Sequence, residues 1–431
     1  MKNTYFWLIS FGLSLSVFAK PAWAVDQTVP GAGNEAAVNL SQKSPLVQSA
    51  MQLLISQAEQ IQNSQLSSAT LDAISNPNTC VRHRVRVTDS LKNTILQNLI
   101  TAGLVDTNDN TAFPGGLKAG IFPPLLKDGS NCPQLPQTFF SAPGSNFGSH
   151  HSYPGGLAVH EIFNDFSNLS FASNYRRVYG NSGSSGLPSV SLSDVPLNAA
   201  DIFISNDITI AAPIWHDWAK PMVFQWNSDG SEFEELNFGG NGTTDNYGQP
   251  GNSKTGAHHI LGLAESMKRG LSPALVITQA SAHSAPTLGN EYKVVNWLQA
   301  AAIIAQIDPV ASGYLYRDRQ NHLRLPPLHQ LGDLDLNAVG QTNLLAEYSL
   351  HNLSDADFVL SIPAVTIDQT ILQALAPEFG YNPKDISTYN NGFRNPVLAY
   401  LSAERLLIIY SRKGLNGVRD EIQKLRQRQI I

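Results

Sequence analysis

What most constrains this chain is where its histidines fall. Of 11 histidines in 431 residues, seven lie between positions 150 and 283: His150, His151, His160, His216, His258, His259 and His283. Inside that window the run Trp215-His216-Asp217-Trp218-Ala219-Lys220-Pro221 sets an imidazole beside a carboxylate. One neutral nitrogen and one anionic oxygen offered to the same small volume form a mixed donor set, which divalent transition metals favour over all-oxygen sites. The segments bearing these residues (155–166, 198–220, 258–269, 273–282 and 291–307) have helical spacing and are separated by polar stretches. The expected fold is therefore mainly α, a helical bundle whose members each point one or two donors at a common centre.

The positions sharpen that expectation. His160 lies within the first of these helices, and His216 with Asp217 ends the second. His258 opens the third, His283 closes the fourth and Asp308 ends the fifth. Four nitrogens and two oxygens suit two cations bridged by one carboxylate, and Asp217 is the natural bridge because its neighbour His216 is itself a donor. Two such cations lower the pKa of a bridging water and clamp a phosphoryl group. His259 is the fallback for His258. His83, His322, His329 and His351 lie outside the pattern and read as structural or surface residues.

Five pieces, in order, resemble the HD-domain metal-dependent phosphohydrolases over roughly residues 150 to 310. His150-His151-Ser152-Tyr153-Pro154-Gly155-Gly156-Leu157-Ala158-Val159-His160 is similar to the opening "HHxYPGGLLxHT" of the exoribonuclease branch, and His216-Asp217-Trp218-Ala219-Lys220-Pro221 to "HDIGKP". Ala257-His258-His259-Ile260-Leu261-Gly262 resembles "GHxxxG", the stretch 276–289 with His283 resembles "LILSHHG", and 301–309 resembles "HYADxLDA". The resemblance implies an HD-type bundle over 145–310 with metal ligands His160, His216, Asp217, His258, His283 and Asp308. It implies two divalent transition-metal ions, Fe or Mn first, with Zn, Ni, Co or Mg as alternatives. It also implies hydrolysis of a small phosphoester such as a nucleotide, with Asp217, Lys220 and His151 in catalysis: Lys220 would offset charge on a phosphate oxygen, and His150 or His151 would contact the phosphate or protonate the leaving group. The chain departs from the pattern at Glu161, where the family has Thr, and in the single His283. Two other readings use the same residues: a di-iron oxygenase, and a degenerate, non-catalytic secreted binding protein. The stretch 248–255 is a near miss to a phosphate-binding loop, with Ser253 where a glycine is required, and reads as a plain loop.

Composition bears on compartment and partners. Lys2, an apolar run over 5–18 and Ala22-Trp23-Ala24 form a signal-peptide pattern with a cut after Ala24, which predicts a periplasmic or secreted protein. Losing Lys2 and Lys20 and no acid moves the formal charge from -6 to -8. A mildly acidic chain without a basic face is a poor partner for bulk nucleic acid. Neither the leader's apolar run nor any later stretch reads as a confident membrane span, so stable insertion after cleavage is not expected. The oligomeric state is left open. Cys80 and Cys132 are the only cysteines, and in an exported chain they are expected to pair. Around the bundle, 25–144 reads as an N-terminal region holding that disulfide, poorly ordered over 25–43, helical over 45–62 and 88–104, and extended over 81–87. The stretches 173–193 and 237–256 read as loop insertions. A helical extension over 311–431 includes an apolar helix over 395–410 and a basic amphipathic one over 415–429.

Overall fold

Several helices start where a side chain caps them, as Ser44, Asn63, Thr88, Ser205 and Ser272 do. At the junction of α1 (Asn34–Lys43) and α2 (Pro45–Glu59), the Ser44 hydroxyl accepts from the Val47 N–H at 3.2 Å and donates to the Ala399 carbonyl at 2.7 Å. One side chain thus starts a helix near the N-terminus and ties it to a segment 355 residues away. The computed structural model describes residues 30–179, 203–240, 253–287, 289–326 and 345–431. The expected signal peptide, His329 and much of the two loop-like insertions lie outside these residues.

The fold is mainly helical, as expected. After α3 (Ser64–Ser75) and α4 (Asp89–Thr101) come α5 (Gly156–Tyr179) and α6 (Asn206–His216). Then follow α7 (Ala257–Lys268), α8 (Pro273–Ala280) and α9 (Glu291–Ala305). The chain closes with α10 (Ala346–Ser354), α11 (Phe358–Leu375), α12 (Asn395–Leu401) and α13 (Ala403–Gln427). Helix α5 packs against α2, α6 and α10, while α7 packs on α9 and α11 on α13. The main core draws residues from Ala50 to Tyr348, so packing ignores the segment boundaries expected near 144 and 310. A second core joins Tyr153 to residues of α11, α12 and α13.

Several local expectations are corrected. The first helix, Asn34–Lys43, occupies part of the stretch expected to be poorly ordered. The alternating run at 81–87 contains a 3₁₀ turn, Arg82–Arg84, because the Glu265 carboxylate accepts the Arg82 and His83 N–H groups at 3.0 and 3.1 Å in place of a strand partner. Helix α5 runs on to Tyr179, through residues expected to be loop. Helix α13 is broken at Gly414, whose φ of 61° is outside the helical region and open to glycine without strain. The break falls near the expected boundary of two C-terminal helices, but the apolar helix expected over 395–410 is itself interrupted at Ser402 (φ 57°), between α12 and α13. The disulfide between Cys80 and Cys132 is present, with a Cα–Cα distance of 5.0 Å. The run from Ala346 to Phe379 has the length and apolarity of a membrane span by composition alone, unlike the sequence expectation, with 39% of its most apolar window buried.

Two features fix the helix that delivers His216 and Asp217. Pro213 inside α6 has no N–H to offer the Thr209 carbonyl, and Asn168 of α5 fills the gap, its Nδ2 donating to that carbonyl at 2.8 Å. Trp215 and Trp218 flank the pair and are fully buried, their indole N–H groups donating to Thr70 Oγ1 at 3.0 Å and the Ala73 carbonyl at 2.9 Å. An indole burying about 200 Å² contributes roughly 5 kcal/mol before entropy is counted. The Arg269 guanidinium lies 5.4 and 5.5 Å from the two rings, and the buried His83–Glu265 pair orients that arginine from behind.

Candidate metal centre

Helix α5 brings His160 and Glu161, the end of α6 brings His216 and Asp217, and the start of α7 brings His258. A short antiparallel pairing of Asn237–Phe238 with Thr255–Gly256 aims α7, and it places Glu235 against His258. One donor atom from each of His160, Glu161, His216 and Asp217 lies within 4.8 Å of the others, and so do those of Asp217, His258 and His283. The two groups share Asp217. Its Oδ1 stands 3.4 Å from His216 Nε2 and 3.3 Å from His258 Nε2, while Oδ2 stands 3.4 Å from His160 Nε2 and contacts Lys220 Nζ.

These separations are informative. A good N–H···O bond spans about 2.7–3.2 Å. Donors held about 2.0–2.2 Å from one ion stand about 3.0–3.6 Å apart along the edges of its coordination polyhedron. Most nitrogen–oxygen contacts here fall in the second range. Both oxygens of the fully buried Glu161 lack a hydrogen-bond partner, and a carboxylate in that state implies a cation or a proton. The residues present therefore fit one or two divalent ions.

The histidines are presented for ligation. His216 Nδ1 faces the Pro213 carbonyl at 2.7 Å, His258 Nδ1 faces Glu235 at 2.7 Å and His283 Nδ1 faces Thr255 Oγ1 at 2.6 Å. Each partner fixes a ring and leaves Nε2 for the centre, as outer groups do for metal-bound imidazoles. His259 stacks on His283 with ring centroids 4.0 Å apart, abuts Trp297, and has no hydrogen-bond partner on either nitrogen. Of the two adjacent histidines, His258 is the one that reaches Asp217.

One expected ligand lies elsewhere. Asp308 is exposed, and its carboxylate accepts the Val310 and Ala311 N–H groups at 2.9 and 3.1 Å. Helix α9 ends at Gln306 in a left-handed conformation (φ 55°), and that turn carries Asp308 away from the cluster to cap the next bend. Asp355 takes the place expected for it, with Oδ1 3.1 Å from His160 Nε2 and 3.2 Å from His216 Nε2. It caps α10, which packs on α5 and α6, so residues expected to form an extension complete the centre. Glu161, Glu235 and Asp355 were not singled out as site residues by sequence, nor was His351, whose buried ring lies 5.0 Å from that of His216. The four-residue spacing of His351 and Asp355 was the available signal, since it places both at one end of a helix.

Charge is concentrated here. Burial alone would strip the proton from His216, but Asp217, Glu161 and Asp355 outweigh it and hold the ring's pKa up at about 9. Burial is likewise overcome at His160, lifted well above its ordinary value chiefly by Asp357 and Glu161. Burial pushes the Glu161 carboxyl well up. Burial would also raise Asp217, but His216 and Lys220 hold it well below the usual carboxylate range, and His216 and His160 do the same for Asp355.

Lys220 is buried and donates to Asp217 and to the Gly144 carbonyl. His151 is buried beside Ser361 and Glu404, while His150 is half-buried and His283 is exposed. The cluster therefore meets solvent near His283 on one side and near His150 and Asp357 on the other. No protein-family model, curated protein or solved structure gives a significant match to the chain.

Proposed function

We propose that this chain is an HD-type, metal-dependent hydrolase of a small phosphoester, working in an oxidising compartment outside the cytoplasm. The observation that carries the reading is the sharing of Asp217 between two donor groups at coordination-edge distances. The order of the four HD-like pieces that carry His160, His216-Asp217, His258 and His283 supports it, and the Cys80–Cys132 disulfide is compatible with the compartment. His160, His216, Glu161 and Asp355 would hold one cation and His258 and His283 the other, with Asp217 common to both. Bound there, two dications supply Lewis-acid polarisation of a phosphoryl oxygen and activation of water.

The chain's own residues do the rest. Lys220 holds the orientation of Asp217 and brings a fixed positive charge to a centre crowded with carboxylates, which lessens repulsion of an incoming phosphate. Glu235, Pro213 and Thr255 keep three imidazoles in a single orientation, so little reorganisation accompanies the reaction. The buried tryptophans on either side of His216-Asp217 keep bulk water from that flank. His150, at the rim, is the histidine of the 150–151 pair nearer to solvent and to an arriving substrate.

The test is a panel of phosphomonoesters and phosphodiesters given to protein purified with Mn or Fe, assayed with and without oxygen, beside Asp217→Ala. Oxygen-independent release of alcohol and phosphate that disappears in the variant supports the proposal. Turnover that consumes oxygen, or none with any ester by metal-replete protein, rejects it.

A further inference from the structure

We infer that a third cation site lies next to the shared-aspartate pair, formed by His150, His151 and Asp357 on the Nδ1 side of His160. The inference rests on the metal-centre reading for the placement of His160 and adds an ion that reading does not use. One donor atom from each of these four residues lies within 4.8 Å of the others. His160 and His151 are 1% and 3% exposed, and His150 and Asp357 are half-buried.

Two orphaned atoms mark the spot. His160 Nδ1 and Asp357 Oδ1 are buried and face each other at 2.9 Å, and neither has another partner. The other three imidazoles of the centre have Nδ1 engaged by a carbonyl, a carboxylate or a hydroxyl. His160 alone turns its Nδ1 away from the pair, toward Asp357 and the two adjacent histidines. A buried imidazole nitrogen and carboxylate oxygen whose only contact is each other need a shared proton or a shared cation.

The backbone is arranged to bring the two adjacent histidines to one side. Neighbouring side chains in an extended strand point to opposite faces. His151 instead adopts φ 48°, a left-handed conformation that costs a non-glycine residue about 1 kcal/mol or more. Its N–H donates to Ser361 Oγ at 3.0 Å, and its carbonyl accepts from Gly144 and Tyr153 at 2.9 and 2.8 Å. The His150 and His151 rings then lie 4.8 and 5.3 Å from that of His160. His151 Nε2 stands 3.4 Å from Glu404 Oε1 and 3.7 Å from Asp357 Oδ2, both too long for good hydrogen bonds.

Three imidazoles and one carboxylate suit tetrahedral zinc better than a larger, harder ion. His160 would serve both compartments as an imidazolate, the form in which one ring binds two cations. Ser361, whose hydroxyl donates to Glu404 and lies 3.2 Å from His151 Nδ1, orients the His151 ring from outside.

The experiment strips the full-length protein with chelator, titrates it with Zn²⁺ alone and counts bound ions by elemental analysis and calorimetry. Wild type is expected to take about three ions per chain. The His150→Ala/His151→Ala double variant should take one fewer. His150→Gln, at a half-buried ring, should lose the same ion with its circular dichroism unchanged, which guards against a double variant that fails to fold. Asp217→Ala should keep the ion that these variants lose. Equal counts in wild type and both histidine variants would overturn the third site and leave the shared-aspartate pair standing. No bound ion in wild type would overturn both.

Discussion

Stripping the metal should leave a centre that holds protons in its place, and those protons can be counted. His216 has its pKa raised from 6.5 to about 9 in the metal-free protein, and His160 is raised well above its ordinary value. At pH 7 both imidazoles carry a proton that must leave before Nε2 can coordinate. Two displaced protons make the apparent metal affinity rise about 100-fold per pH unit, roughly 10⁴-fold between pH 6.5 and 8.5. The metal-free protein should move the opposite way. The folded-state pKa of His216 lies above the unfolded one, so its stabilisation is complete below pH 6.5 and is lost as pH rises through 9. Raising a pKa from 6.5 to about 9 is worth about 3 kcal/mol. Calorimetric Mn²⁺ or Zn²⁺ titrations in buffers of different ionisation enthalpy give the proton count directly. Release of fewer than one proton per chain, or an affinity flat from pH 6.5 to 8.5, would refute the reasoning.

Three further outcomes are expected. Asp355→Asn should remove metal from the centre, whereas Asp308→Asn should leave metal content unchanged and cost at most about 1 kcal/mol as a lost cap; elemental analysis and thermal unfolding separate them. Glu235→Gln should weaken metal binding about 10- to 100-fold with the fold retained, because it disturbs the carboxylate that orients His258 without removing a ligand, as metal titration of the variant would show. Replacing Cys80 and Cys132 by serine should cost about 4 kcal/mol for a loop with a sequence separation of 52, measured by denaturant unfolding, with metal content preserved once folded.

The residues legible in the sequence were those whose neighbours announce them. His216 and Asp217 are adjacent, His160 and His258 each follow a distinctive local run, and all four converge in the structure. Asp308 was misplaced for a local reason with a distant effect: one left-handed residue at Gln306 reverses the chain just before it. Glu161 stood beside an expected ligand and was noticed only as a departure. Asp355 has no such neighbour pattern: it lies 138 residues after Asp217, within the stretch 311–431 expected only as a helical extension.

The sequence by itself determined the helical class, the pairing of the two cysteines and the nitrogen-rich half of the centre. These depend on periodicity and on the identity of single residues. Only the tertiary structure decided which carboxylates complete the centre and which nitrogen each imidazole presents. The docking of α10 on α5 and α6 brings Asp355 to His160 and His216, and partners from separate segments set the His258 and His283 rings. A carboxylate becomes a metal donor through the charges and orphaned atoms facing it across space, and those are set by packing between elements far apart in the chain.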